Sequence, residues 1–132
     1  KWRWFERIGM AVSDDMLEWK RYKTDPVVHH KIGITGDPMI QKIGNTWVMF
    51  YFGAFWENRK SEAFNRFACS YDLLNWTDWE GEDLIRSSEP YDAKYAHKPF
   101  VIKWKGVVYH FYCAVDKKDT RGIAVATSKD LK

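Results

Sequence analysis

The chain has 132 residues, of which 45% are hydrophobic and 17% aromatic, and a formal net charge of +3. That length suits one domain at most. The small charge, with Lys and Arg scattered among acids, argues against a nucleic-acid or anionic-membrane partner, and the longest apolar run is far shorter than a membrane span.

In chain order, Trp2 to Arg7 alternates aromatic and charged residues and reads as an outer strand, followed by a compact strand at 8–13. Ser13-Asp14-Asp15-Met16-Leu17 is a polar turn whose Ser and Asp side chains can bond nearby amides. Residues 18–22 alternate again as a solvent-edged outer strand. Lys23 to Gly36 is a connection in which His29 and His30 read as a surface pair. A hairpin at 37–53, a long polar loop at 54–64, a strand at 66–70 and an outer strand at 75–80 follow. A second connection, Gly81 to Lys98, leads to a second hairpin, with Pro99 to Lys103 as its first arm and Val107 to Ala114 as its second. Gly106 in its turn is free to take positive φ. The last strand is Gly122 to Thr127. Cys69 and Cys113 sit inside strand-like runs and read as buried free thiols, since their spacing suits neither a metal site nor a redox pair.

The segments repeat. Asp37 to Tyr51 lies over Lys98 to Tyr112 without a gap, Pro38 falling on Pro99 at an offset of 99 − 38 = 61. Ala11 to Trp19 matches Ala68 to Trp76 and returns in cut-off form at Ala126 to Leu131. Two motifs recurring at about one period define a repeat architecture. With roughly four strands per unit and no helix pattern, the units are blades of an all-β propeller. The blade boundaries fall at 1–28 (the end of one blade), 29–80 (a complete blade) and 81–132 (most of the next). A closed propeller needs roughly four blades or more, so the chain is expected to be a piece of a longer protein or to close a ring with other chains. Open blade edges favour self-association.

The Ser-x-Asp-[Met/Leu]-Leu-x-Trp turns and the Asp37-Pro38 and His97-Lys98-Pro99 strand starts resemble the five-bladed propeller glycoside hydrolases. That group includes family 43, families 32 and 68, and family 117, the last nearest because a His there replaces the acid. The resemblance implies a glycosidase acting on poly- or oligosaccharides in a central pocket walled by the first residues of the inner strands. It makes Asp37 the carboxylate that tunes the acid and His97 the general acid, and places the base Asp before Lys1. An imidazolium suits the acid's role, because its ordinary pKa of about 6.5 lies near working pH and a neighbouring carboxylate would hold it charged. The rival reading is a carbohydrate-binding propeller without catalysis; a non-enzymatic interaction propeller stands third.

By the same resemblance, Phe55 and Trp56 lie on the pocket face and could stack on a sugar ring, with Glu57, Asn58 and Arg59 near its hydroxyls. Glu89, Tyr91 and Asp92 face the pocket before the third inner strand, and Arg121 is placed to meet a hydroxyl or carboxylate. Trp19 and Trp76 are expected to pack between blades. No cofactor is called for, and nothing in the sequence marks a central divalent cation, though the fold would accommodate one. The resemblance favours a periplasmic or secreted location in a bacterium.

Overall fold

The computed structural model describes residues 5–129, and all of their regular structure is strand. Trp2 and the Asp130-Leu131 end of the third turn motif lie outside the described residues. The strands are β1 (Phe5–Glu6), β2 (Ala11–Val12), β3 (Lys20–Arg21), β4 (Gly33–Ile43), β5 (Thr46–Trp56), β6 (Arg59–Ser70), β7 (Thr77–Asp78), β8 (Tyr95–Trp104), β9 (Val107–Val115) and β10 (Arg121–Thr127). They form a central sheet in the order β1-β4-β5-β6-β7, a three-stranded sheet β10-β9-β8 and a two-stranded ribbon β2-β3. Successive sheets, antiparallel apart from the β1–β4 pair, with short outer strands are the blades expected of a partial propeller.

The turn motif repeats down to single hydrogen bonds. Ser13 Oγ accepts from Met16 N at 2.9 Å, and Asp15 Oδ1 accepts from Leu17 N and Glu18 N. Ser70 Oγ accepts from Leu73 N, also at 2.9 Å, and Asp72 Oδ1 accepts from Leu74 N and Asn75 N. Met16 and Leu73 take φ of 62° and 66°, and Trp19 and Trp76 donate Nε1 to the Met16 and Leu73 carbonyls. These amide bonds favour the ionised form, so both carboxyls titrate below the usual Asp range. The two tryptophans share this geometry and differ in packing. Trp76 lies against the core, whereas Trp19 is 60% exposed.

The central sheet is buried on both faces. Met49, Tyr51, Trp56, Phe64 and Ala68 pack with Ile8 and Val28 on one side. On the other, Ile34, Phe52, Ala54 and Ala63 turn toward the three-stranded sheet. Three aromatic pairs meet there edge to face: Phe50 with His110, Phe52 with His97, and Phe55 with Tyr95, the centroids 6.3, 5.5 and 5.7 Å apart. Such pairs stabilise beyond the area they bury. Burial brings the pKa of His110 down to about 4, so the ring is neutral in this packing. The opposite face of the three-stranded sheet is apolar and open, with Phe100, Ile102, Ile123 and Val125 all exposed.

Three expectations are corrected. Residues 54–64 are not a loop: β5 and β6 run through them as a hairpin closing at Glu57-Asn58. The charged residues that suggest a loop occupy its exposed tip, while Ala63 and Phe64 beneath them are buried. Arg59 and Arg66 both bind Asp83, which ties the following connection to β6. Next, β1 is not an outer strand but pairs in parallel with the start of the inner strand β4, Phe5 opposite Gly33 and Glu6 opposite Ile34. Finally, His30 is no surface residue: its ring stacks on Trp56 at 4.0 Å, the planes 4° apart.

Candidate active site

The inner strands β4 and β8 carry the same irregularity at the same repeat position. Each ladder shifts register across an X-Pro step, between Gly36 and Met39 in β4 and between His97 and Phe100 in β8. The residue before each proline is left-handed, Asp37 at φ 48° and Lys98 at φ 58°. Proline disfavours helical backbone in the residue before it and donates no ladder hydrogen bond, so the strand bulges there and re-aims its side chains. Backbone of this kind is costly for a residue with a Cβ and concentrates at functional sites.

The bulges bring opposite charges together. Lys98 Nζ stands 3.0 Å from Asp37 Oδ2, both side chains about half exposed (51% and 48%). Sequence reasoning passed over Lys98, although the offset of 61 puts it on Asp37 (37 + 61 = 98) and so sets a base over an acid.

His97 is 7% exposed. Its Nδ1 lies 3.0 Å from the Cys113 carbonyl, which only accepts, so Nδ1 carries the hydrogen. That bond fixes the tautomer and leaves the Nε2 lone pair without a protein donor among the described residues. Phe52 and Tyr95 hold the ring edge-on. The pKa of His97 lies below the ordinary histidine value. Burial is the main cause; the Cys113 carbonyl opposes it, Lys98 and Arg121 lower the value further, and Asp37 raises it least. The sequence suggested that Asp37 holds His97 charged. Asp37 is instead ion-paired to Lys98, and desolvation dominates.

The signs of these charges can be checked. Lys98→Met removes a positive neighbour and should raise the His97 pKa; Asp37→Asn removes a negative one and should lower it. NMR titration of the labelled imidazole reads both. Shifts of the same sign in the two variants would contradict the arrangement.

Two clefts flank the ion pair. One is lined by Glu6, Thr35, Gly36 and Asp37, among others. The Glu6 carboxylate lies beside Gly36, its Oε2 3.4 Å from where a Cβ on that glycine would stand. Glu6 was not legible as a site residue, because the sequence placed residues 2–7 on an outer strand. The other cleft, of about 280 Å³, is lined by His97, Lys98, Cys113, Val115, Arg121, Gly122 and Ile123. Arg121, expected only to open the last strand and meet a substrate group, lines this cleft together with His97.

The remaining candidates are placed otherwise. Trp56 is 9% exposed, covered by His30 on one face and met edge-on by Phe64, with Nε1 donating to the Ile34 carbonyl at 2.8 Å. Phe55 sits at a β5 bulge with φ 57° and packs on Tyr95. Both belong to the core that supports the strand starts. Asp92, expected at the pocket, is completely buried (0% exposed). Its Oδ1 accepts from Ser88 N and Glu89 N, and its Oδ2 from the Tyr112 hydroxyl, each at 2.8 Å. Fully buried, it offers no surface to a sugar. Glu89 and Tyr91 are exposed on that same turn.

Comparison with solved structures finds glycoside hydrolases among the chain's neighbours. The chain superposes on a structure described as a glycoside hydrolase with a TM-score of 0.90 and 59% identity, over 95% of this chain and 36% of that one. The same figures hold for an RGII complex of BT0996. The chain thus spans little more than a third of the length of these structures. A family GH32 β-fructofuranosidase of Bombyx mori (TM-score 0.69, 18% identity, 93% of this chain and 27% of that one) shares the fold. So does a GH43_1 enzyme of Xanthomonas citri (TM-score 0.57, 15% identity, 81% and 32%). No protein-family model and no curated protein sequence matches the chain.

Proposed function

We propose that the full-length protein is a glycosidase cleaving O-glycosyl bonds of poly- or oligosaccharides, and that this chain supplies one wall of its pocket. The observation that carries the reading is His97, buried at an inner-strand start, oriented by a main-chain carbonyl and leaving Nε2 unpartnered among the described residues. Glycoside hydrolysis needs a proton donor at the leaving oxygen and a carboxylate acting from the other side of the ring. His97, once protonated, is the donor. Asp37 is the carboxylate that tunes it, through the shared Lys98. Glu6, exposed beside Asp37, is a further carboxylate at the same strand starts. The 59% identity to a glycoside hydrolase and the carbohydrate ligand RGII in a matched complex support a carbohydrate substrate.

The test is release of reducing sugar from oligosaccharides of plant and algal polysaccharides by the full-length protein. Release is the expected result. Sugar binding without release, at any pH between about 5 and 8, would leave a binding module instead.

A further inference from the structure

The cleft beside His97 has a composition of its own. Its apolar side is made by the exposed Ile123 and the half-buried Cys113, over a Val115 that is itself fully buried, and Gly122 adds no side chain to it. Its polar groups are His97, Lys98 and Arg121, and no acidic residue lines it. Among these, Lys98 is already paired with Asp37. Nearby, Lys94 is bound to Asp119, which removes the acid closest in sequence to Arg121. Arg121 therefore has no ion-pair partner among the described residues and is exposed at the cleft.

A guanidinium fork matches a carboxylate in a planar, two-bond geometry that a lysine cannot reproduce. An apolar side chain next to it suits the C–H face of a sugar ring. We propose that this cleft selects a carboxylate-bearing sugar, with the Arg121 guanidinium clamping the carboxylate and the ring lying against Ile123; the proposal rests on the glycosidase reading above. It also resolves a difficulty in that reading. The groups facing His97 are Lys98 on its own strand, Arg121 from β10 and Asp37 from β4, and the two cations disfavour the imidazolium. A substrate carboxylate bound at Arg121 offsets them, so the donor becomes charged when the correct sugar is in place.

The full-length protein is titrated with galacturonate, galactose and inorganic sulfate, following binding by calorimetry and His97 by NMR. Galacturonate should bind about tenfold or more tightly than galactose, the difference expected of charge-assisted hydrogen bonds. It should also raise the His97 pKa, which galactose should leave unchanged. Arg121→Gln should level the two sugars, while Arg121→Lys should keep a reduced preference. Since Arg121 is exposed, an unchanged circular dichroism spectrum is expected for both variants. Equal affinity for the two sugars in the wild type would overturn the proposal. So would an undiminished preference in Arg121→Gln, or sulfate binding as tight as galacturonate, which would reduce the cleft to a general anion trap. Binding is read here without turnover, so the outcome separates from that of the activity assay. Hydrolysis with no acid preference removes this inference alone; acid preference without hydrolysis removes only the enzyme.

Discussion

His97→Ala is expected to lower kcat on natural glycosides by roughly 10²–10⁴-fold, the range for a lost acid–base group. On a nitrophenyl glycoside the loss should be far smaller, because that leaving group departs with little protonation. The asymmetry is the diagnostic. A histidine that only packs between Phe52 and Tyr95 would, when removed, weaken the fold and depress both substrates alike. Equal losses on the two substrates would end the general-acid role. The pH profile of the wild type adds a second check. Because burial holds the His97 pKa below the ordinary histidine value in the free protein, kcat/KM should fall as pH rises through that lowered value, earlier than for an ordinary histidine.

Asp92→Ala should be clearly destabilising, and it should act on stability alone. The Tyr112 hydroxyl loses its acceptor in a buried place, and the part-buried Ser88 and Glu89 amides lose theirs. A buried donor left unsatisfied costs about 1–3 kcal/mol, so a loss of that order is expected from denaturant unfolding of the full-length protein. KM, measured where the variant remains folded, should not move. A KM increase with unchanged stability would return Asp92 to the pocket, where the sequence first placed it.

The propeller repeat was legible because it is written twice. Ser-x-Asp turns bond their own backbone, so their geometry follows from a few adjacent residues, and offset copies at 13 and 70 confirm each other. The positions of Asp37 and Lys98 at equivalent strand starts were legible for the same reason, since the repeat aligns them. What failed was long-range. Charged residues at 57–62 look like a loop unless it is known that Arg59 meets Asp83 in the connection that follows. Asp92 looks like a pocket acid unless Tyr112, twenty residues on, is seen to reach it. Glu6 needed the parallel pairing of β1 with β4, for which a two-residue strand leaves no pattern. Burial, the main influence on His97, cannot be read from its neighbours in the chain.

The left-handed backbone at 37 and 98 bears on how sequence variation in relatives should be interpreted. At positive φ, Gly, Asn and Asp are tolerated best, so an Asp retained at 37 could persist for conformational reasons alone. Lys has no such affinity for φ 58°, and drift toward Asn or Gly would relieve the backbone at 98. Of the two members of the ion pair, the lysine is therefore the more informative marker. A lineage that holds Lys98 against that drift is holding it for its charge.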